Sequence, residues 1–527
     1  MPASNDSALA VAGQLRSLPD AELIEMLGAR EIRESGIRDF FDLAEALLDP
    51  ASIQHALGIL DRPTLATLMV LSEVGRATEA DAAARLAELG ADTSALGSRL
   101  ARTLRLALVT QRDGVYTVPG SVRYALSTAD LPSLEELAVR PAPSFGAPGE
   151  SRAETDRLAA EQAFTTTTAL VELVTELQHE GARELVRGGM ALPDEKRLAQ
   201  AMNVPVASVA HLVEVADRAG LVLLENARWT ITDSATDWLV DSWGERWSLL
   251  AGAWLDRLPD EIRSIFSAGS HSVWGEGLEP FLAWLYPAGG AWMRERLDPY
   301  LRDAELLGIS AQHVPSSPGT ALLEIGIDAA ATAITALFPP EVRQVYLQHD
   351  LSIVSPGPLA PSLDSRLRTM ADAEGRALAS TYRVSTASLN RALAGGETEE
   401  SIGEFLARIS LTGIPQPLAY LVSETSARYG ALRIGTIGDG PLRSYVRSTD
   451  ATLLRTLLVD QGLAGLGFSR WGGPETGAHA HSNHIASRSD AETVYWALSH
   501  ARYPVAAEDS NGNVVAVRRR KTVTAPA

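Results

Sequence analysis

Apolar residues recur with helical spacing through much of the chain, and the stretch 382–410, YRVSTASLNRALAGGETEESIGEFLARIS, illustrates the pattern. Ser385 or Thr386 can cap a first helix, and a Gly-Gly pair ends it. Thr398 caps a second helix whose apolar residues fall at i, i+3, i+4 and i+7: Ile402, Phe405, Leu406 and Ile409. The pattern therefore predicts two helices, the second with one face that needs a partner in a core.

The order helix, helix and β-hairpin occurs twice. In the first copy, at about 60–126, the strands LALVT and VYTVP flank an Asp113-Gly114 turn. In the second copy, at about 165–238, the strands LVLLE and RWTIT flank a turn at Asn226-Ala227. This order is typical of a winged helix. A third copy within 243–322 stays an open alternative, because PSSPG interrupts the expected hairpin.

From about residue 340 the pattern changes to short strands alternating with helices, and it ends in a hairpin of YPVAAED and VVAVRR. We therefore predict a mainly α fold with α+β character, in which tandem winged-helix domains precede a C-terminal α+β module. The predicted segments are a helical and winged-helix domain at 1–140, a linker at 141–153, a second winged helix at 154–242, a Trp-rich helical region at 243–339, the α+β module at 340–505, and a hairpin with a basic tail at 506–527.

The net charge of -20 argues against a protein that coats nucleic acid nonspecifically, because phosphate binding needs clustered Lys and Arg. Residues 366–447 contain ten arginines and eight acidic residues, which gives 10 - 8 = +2 and leaves -22 for the rest. Any contact with nucleic acid is therefore expected to be local, and this stretch repels a polyanion least.

The chain has no cysteine, and no apolar run approaches the ~18–20 residues of a membrane span. A disulfide framework and a thiolate zinc site are thereby excluded. The first residues lack a basic segment followed by an apolar one. We expect a cytoplasmic protein that has no membrane partner.

The residues needed for ATP hydrolysis by a P-loop motor are missing. A P-loop requires G-x-x-x-x-G-K-[ST], and the two lysines of the chain, Lys196 and Lys521, follow Glu195 and Arg520. No G-x-S-x-G elbow is present, and Pro193 to Lys196 crowd one predicted helix start instead of converging from separate strands. We therefore expect a protein that is not an enzyme and uses no cofactor.

Three histidines in AHAHSNHIAS are the weak candidates for a metal site: His479, His481 and His484. Three imidazoles could bind zinc or nickel. The surrounding GGPETGAHAHSN reads as a loop without a fixed carboxylate nearby, so solvated loop histidines are the preferred interpretation.

A winged helix that binds DNA places its second helix in the major groove. In the first copy this helix presents three arginines, at i, i+3 and i+6, that suit phosphate contacts: Arg99, Arg102 and Arg105. The second copy offers mainly Ser208, His211 and Arg218, offset by Glu214 and Asp217. DNA binding and protein docking are equally supported for the first copy, and docking is favoured for the second.

Six tryptophans of the helical region could stack on bases or pack between helices, and core packing is preferred because few basic residues lie among them: Trp243, Trp247, Trp254, Trp274, Trp284 and Trp292.

The segment from about Tyr346 to Ile434 resembles the N-terminal, damage-recognition-like region of XPB-type DNA helicases, a region that also occurs in actinobacterial helicase-associated proteins. The motifs that carry the resemblance are YLQHDLSIVSP, SRLRTMADAEG, YRVSTASLNRAL, GETEESIGEFLARIS, TGIPQPLAYLVSETSARYG and LRIG. They span under a fifth of the chain. In those helicases two motor domains follow this region, whereas the P-loop is missing here.

The resemblance implies an accessory protein in DNA repair or transcription that contacts distorted or forked DNA and docks to a separate XPB-like helicase or a nuclease. Its candidate DNA contacts are Arg383, Asn390, Arg391 and Arg408. Two alternatives stay open. A winged-helix transcriptional regulator would bind a specific operator, and a protein scaffold without DNA affinity would suit the acidic charge.

Overall fold

The structure, a computed structural model, describes residues 5–515 except 31, 33–35, 144–150, 275–277, 376–379, 439, 472–482, 502, 511 and 513. It is mainly helical with several small sheets. The chain divides into two compact units, each built from two separate stretches of sequence. Unit 1 comprises Met1–Thr166 and Trp247–Leu337, and unit 2 comprises Thr167–Arg246 and Phe338–Ala527.

Among the described residues, unit 1 begins with nine helices and a small sheet. The elements in chain order are α1 (Asn5–Leu15), α2 (Asp20–Ala29), α3 (Phe40–Leu47), α4 (Pro50–Gly58), α5 (Arg62–Val74), β1 (Arg76–Ala77), α6 (Glu79–Glu88), α7 (Leu96–Arg105), β2 (Thr110–Arg112), β3 (Val115–Thr117), α8 (Gly120–Thr128) and α9 (Leu134–Val139). Helices start where short polar side chains accept backbone N–H groups, as Asp61 does for α5 and Thr78 for α6. The three strands pair antiparallel in the order β1-β3-β2.

The same element order occurs again from residue 152 onwards. The elements are α10 (Arg152–His179), β4 (Ala182–Arg183), α11 (Leu192–Met202), α12 (Val206–Arg218), β5 (Val222–Glu225), β6 (Arg228–Ile231) and α13 (Asp233–Trp238). Both hairpin turns hold two residues with positive φ, Asp113-Gly114 in the first and Asn226-Ala227 in the second. The order helix, helix and hairpin is thus present at both predicted places.

The Trp-rich region continues with α14 (Trp243–Asp256), α15 (Asp260–Ala268), α16 (Leu278–Leu285), α17 (Gly290–Leu306), β7 (Ser310–Ala311), β8 (Val314–Pro315), α18 (Ser317–Glu324) and α19 (Ile327–Leu337). Four of its tryptophans are buried, as core packing requires: Trp243, Trp247, Trp254 and Trp274. Trp284 is half-buried beneath the Arg62 guanidinium, 5.4 Å from its ring centroid. The side chain of Trp292 lies outside the described residues. The four buried indoles cannot stack on bases.

The first half of the C-terminal stretch consists of β9 (Tyr346–Leu347), β10 (Ser352–Val354), α20 (Pro361–Met370), β11 (Asp372–Gly375), β12 (Thr381–Arg383), α21 (Thr386–Ala394), α22 (Glu399–Ile409) and α23 (Gln416–Arg428). Its sheet has the order β11-β12-β10-β9 with antiparallel pairs. Ser385 and Thr398 cap α21 and α22, and all four apolar residues of the α22 face are buried. The predicted helix pair is confirmed.

The second half contains β13 (Leu432–Thr436), β14 (Ser444–Arg447), α24 (Ala451–Val459), a 3-10 helix (Gln461–Leu466), β15 (Ser469–Arg470), β16 (His484–Ser487), α25 (Ala491–His500), β17 (Val505–Glu508) and β18 (Val514–Val515). The sheet has the order β15-β16-β14-β13-β17-β18, and β13 pairs parallel with β17. Apolar residues from one sheet face and from α24 and α25 form its core. Most of the predicted linker and the basic tail lie outside the described residues.

The described helices include none that is both long and apolar enough to cross a membrane on its own. Helices α11 and α12 reach that length and apolar character only as a pair, and the chain bends by 83° between them.

A buried ion cluster joins the two stretches of unit 2. The Arg368 guanidinium donates to both carboxylate oxygens of Glu172 on α10, over 2.7 and 3.0 Å, and its Nε donates to Asp364 over 2.8 Å. The Tyr382 hydroxyl donates to the other oxygen of Asp364. Glu172, only 3% exposed, sits 196 residues away from Arg368 in sequence. Burial alone would lower the pKa of Arg368, but Asp364 and Glu172 outweigh it and raise that pKa.

A second buried cation lies close to this cluster. Arg246, 1% exposed, donates to the carbonyls of Trp238 and Leu239 and lies over the Trp243 ring, 4.8 Å from its centroid. Burial lowers the pKa of Arg246 to about 10, although the negative charge of Asp364 acts in the opposite direction and raises it. Unit 2 thus holds two guanidiniums near the buried Asp364 carboxylate. Arg368 is compensated by two carboxylates, whereas Arg246 relies on carbonyls and an indole ring, and its Nη1 has no hydrogen-bond partner among the described residues.

We expect Arg368→Leu to lower the free energy of unfolding by about 3–5 kcal/mol, because two carboxylates would stay buried without their cation. Urea denaturation followed by circular dichroism measures the change. The matched control is Arg428→Leu, which removes a 74% exposed guanidinium paired with Glu424 on α23 and should cost less than about 1 kcal/mol. Equal losses in the two variants would contradict a structural role for the cluster.

Candidate nucleic-acid interface

The arginine stripe of the first helix-helix-hairpin segment lies on α7. Arg99, whose side chain is 13% exposed, pairs with Asp92 over 3.3 Å and also donates to the Asp92 carbonyl. Arg102 donates to the Ile59 carbonyl over 3.0 Å, and Arg105 is exposed. Two of the three guanidiniums therefore bind groups of the protein itself, and Arg105 is the one most open to a phosphate.

The corresponding helix of the second segment, α12, carries mixed charge. Arg218 lies 3.2 Å from the Glu214 carboxylate, and His211 Nδ1 lies 3.9 Å from the same carboxylate. Ser208 is partly buried on the first turns. One carboxylate thus lies beside both Arg218 and His211 of this helix, which is more typical of a protein-facing surface than of a phosphate-binding one.

Two of the four candidate contacts in the C-terminal stretch come together at the β11–β12 edge. Arg383 on β12 is paired in register with Asp372 on β11, and Arg391 on α21 donates to the Asp372 carboxylate over 2.7 Å. Arg383 donates to Glu374 and to the Asp350 carbonyl. The hydrogen bond to Glu374 raises the pKa of Arg383. The two guanidinium side chains are 43% and 38% exposed.

The other two candidates have different surroundings. Asn390 is half-buried, and its Oδ1 has no hydrogen-bond partner among the described residues. Arg408 is exposed on α22 with its guanidinium 5.6 Å from the Phe405 ring centroid. Among the described residues no contact joins Arg408 to the Arg383 and Arg391 pair. The structure therefore brings together two of the four candidate DNA contacts of the C-terminal stretch.

Sequence reasoning did not assign the carboxylates Asp372 and Glu374 to these arginines. The sequence analysis counted them only in the net charge of residues 366–447. In the structure each of them contacts one guanidinium. The signal that could have found them is the strand register, since residues opposite each other on antiparallel strands lie within reach. The local net charge at this edge is consequently close to zero.

An open cleft of about 480 Å³ lies beside β11 within unit 2. Its lining includes Glu176, Arg197 and Asn203 from the α10–α12 stretch and Glu374 from β11. Arg197 is held by Glu176 over 2.8 Å and by Asp194 over 3.3 Å. The described lining contains no Ser, Cys or His side chain, so it provides no pair of nucleophile and base of that kind.

The histidine candidates are only partly described. His479 and His481 lie outside the described residues, and His484 is the first residue of β16. Within the described part of the chain, no group of three or more His, Cys, Asp or Glu side chains is arranged to hold a metal ion. The three-histidine hypothesis stays untested.

The candidate helix α22 is held in place by a bidentate ion pair. The Nε and Nη2 atoms of Arg366 on α20 each donate to one carboxylate oxygen of Glu397 over 2.8 Å, and the Ser401 hydroxyl donates to the same carboxylate. The Arg366 guanidinium also lies 4.6 Å from the Phe405 ring centroid. This pair positions the start of α22, the helix that carries Arg408.

Residues 345–471 match the family model described as the helicase conserved C-terminal domain. The match covers about a quarter of the chain and includes β9 to β15 and the Arg383 and Arg391 pair. It supports a helicase-related protein. No curated protein matches the chain.

The Glu397 ion pair makes a prediction for pH. The hydrogen bond from Arg366 lowers the pKa of Glu397, partly opposed by burial. A carboxylate with a lowered folded-state pKa adds stability above its ordinary value of 4.5 and loses that contribution as pH falls through the lowered value. Glu397→Gln should therefore destabilise the protein at pH 7, and its difference from wild type should shrink towards about pH 3.

Thermal or urea denaturation of both proteins across that range measures the difference. Glu424→Gln is the control, because it removes a carboxylate from the exposed pair with Arg428. A Glu397→Gln deficit that stays constant from pH 7 to about pH 3 would contradict the role of the ionised carboxylate.

Proposed function

We propose that the protein is a non-catalytic, helicase-associated accessory protein that contacts DNA locally and docks to a separate XPB-like helicase in DNA repair or transcription. The observation that carries the proposal is the match of residues 345–471 to a helicase domain in a chain without a P-loop lysine. It acts without a cofactor, in the cytoplasm, on distorted or forked DNA.

The strand pairing supports a role outside the motor. Nucleotide sites of α/β folds lie at the carboxyl ends of parallel strands. The named strands that pair inside 345–471 are antiparallel, namely β9 with β10, β10 with β12, β11 with β12, and β13 with β14. One isolated parallel bridge, between Val345 and Ser410, lies outside these strands. The resemblance to the damage-recognition-like region of XPB-type and actinobacterial helicase-associated proteins agrees with such a role.

The repeated element order supports an interpretation as tandem winged helices. Helix α5 leads through β1, α6 and α7 to the β2–β3 hairpin, and α10 leads through β4, α11 and α12 to the β5–β6 hairpin. In a winged helix α7 and α12 would be the helices offered to the major groove or to a protein. Exposed Arg105 favours phosphate contact for the first copy, and the Glu214 pairs favour docking for the second.

The charge distribution limits DNA contact to small areas. The net charge of -20 argues against an extended phosphate-binding track, and the arginine-rich stretch 366–447 is the part of the chain that repels a polyanion least. Arg383 and Arg391 are fixed by Glu374 and Asp372 but remain partly exposed. A phosphate can therefore approach their open sides without first ordering either side chain.

A protein scaffold without DNA affinity is the second candidate, favoured by one observation. Carboxylates already pair with Arg99, Arg383 and Arg391, three of the seven candidate DNA contacts. Arginines that already pair with carboxylates of the protein would suit a partner protein whose own charged groups extend these ion pairs.

We expect the purified protein to bind forked or bubble DNA more tightly than a plain duplex at physiological salt, as measured by fluorescence anisotropy of labelled DNA. Replacing both Arg383 and Arg391 with Ala should weaken binding uniformly across sequences. If each contacts one phosphate, the slope of log affinity against log salt should fall by roughly 2.

Arg428→Ala is the matched control, since Arg428 is an exposed arginine of the same stretch that pairs within α23. It should leave the slope unchanged. Absence of binding to every DNA at low salt, where electrostatic contacts are strongest, would remove the DNA part of the proposal and leave the scaffold.

A further inference from the structure

One face of the six-stranded sheet carries a row of aromatic and cationic side chains. Arg433, Arg447 and His484 are directly opposite one another on β13, β14 and β16. The ladder continues one residue beyond β15, where the Trp471 N–H donates to the His484 carbonyl over 3.2 Å. Because directly paired residues share a sheet face, these four side chains lie on the same side.

The neighbouring row places Tyr445 beside two small residues, since it pairs with Gly435 on β13 and with Ala486 on β16. A Cβ at residue 435 would overlap the Cζ and hydroxyl of Tyr445, so the ring lies flat against the β13 backbone. Only glycine permits this approach. One side of the Tyr445 ring is thereby fixed on the sheet.

The opposite sheet face is the one that forms the core. Ile434, Val446 and Ile485 alternate with the row residues and are buried with residues of α24 and α25. By contrast Tyr445, Trp471 and His484 are each only partly buried. The aromatic row is therefore not part of the hydrophobic core.

The three rings form one cluster. The ring centroids of Tyr445 and Trp471 are 5.7 Å apart, those of Tyr445 and His484 5.9 Å, and those of Trp471 and His484 6.1 Å. Such tilted and edge-on contacts hold the three rings in place. Side-chain pairing between neighbouring strands explains why the three rings contact one another. It does not explain why they stay partly exposed beside Arg433 and Arg447.

A buried carboxylate fixes the cationic side of the cluster. Glu508, whose side chain is 1% exposed, accepts hydrogen bonds from Arg447 Nε over 2.6 Å and from the Tyr445 hydroxyl over 2.8 Å. Burial and Glu508 raise the pKa of Tyr445 to about 12, so its hydroxyl stays a donor at neutral pH. Arg433 and Arg447 outnumber Glu508 on this side, and Asp509 also acts on the Tyr445 hydroxyl.

We propose that Tyr445, Trp471 and His484, flanked by Arg433 and Arg447, form a stacking platform for the unpaired bases of single-stranded DNA. A duplex hides the faces of its bases, so partly exposed rings favour an unpaired strand. The two guanidiniums complement its phosphates. DNA is chosen over RNA because the inference rests on the proposed function, in which a helicase partner produces single strands of DNA.

The test uses the full chain and three labelled probes, an oligo(dT) of about 12 nucleotides, a duplex of the same length and the corresponding oligo(U). Trp471→Leu and Tyr445→Leu should each raise the Kd for oligo(dT) roughly 5- to 100-fold. Trp471→Phe and Tyr445→Phe keep a ring and should stay within about 3-fold of wild type. Affinity for the duplex should not change in any of these variants.

The matched control is Tyr420→Leu, which removes a tyrosine of α23 that is 68% exposed and should not affect any probe. Photocrosslinking of wild type to an oligonucleotide with 5-bromouracil gives a second measurement that needs no variant. Crosslinks should fall on peptides with Tyr445 or Trp471, and crosslinks confined to other peptides would overturn the platform even if a leucine variant fails to fold.

The outcomes separate this inference from the proposed function. Wild-type affinity of both leucine variants for oligo(dT), with forked DNA still bound, would overturn the platform and leave the accessory role intact. Tighter binding of oligo(U) than of oligo(dT) would overturn the assignment to DNA. Absence of binding to every DNA, forks included, would remove both the platform and the DNA part of the proposed function.

Discussion

The bidentate pair between Arg368 and Glu172 is the interaction on which unit 2 depends. It is buried, 196 residues separate its partners, and it draws Asp364 and Tyr382 into the same network. A buried charge must be compensated by a partner. Separation of α10 from α20 would therefore leave Arg368 and Glu172 either exposed to water or buried without a partner. The stretch that matches a helicase domain is therefore built against the second helix-helix-hairpin segment.

Local features of this fold could be predicted from the sequence. The capped helices α21 and α22, both hairpins with positive-φ turns, and the C-terminal strands follow from residue types a few positions apart. Contacts between distant residues could not. Arg368 was one of ten arginines in a charge sum, and nothing near it in sequence marks Glu172 as its partner. The parallel pairing of β13 with β17 is equally remote from any local pattern.

The candidate site shows the same limit. Arg383 and Arg391 could be identified from the sequence, but the carboxylates that pair with them could not. The sheet-face cluster was missed because Tyr445, Trp471 and His484 come from three strands whose order only the fold supplies. An acidic chain that contacts DNA must rely on a few well-placed groups of this kind, instead of a broad basic surface.

Hydroxyl-radical footprinting of the full chain, with and without forked DNA that has single-stranded arms, tests most directly whether DNA contacts the C-terminal stretch. Our account predicts slower oxidation of Tyr445 and Trp471 on binding, and unchanged oxidation of two exposed tyrosines elsewhere, Tyr420 on α23 and Tyr124 on α8. Unchanged oxidation of Tyr445 and Trp471 at saturating DNA, or protection at Tyr124 or Tyr420 alone, would contradict it.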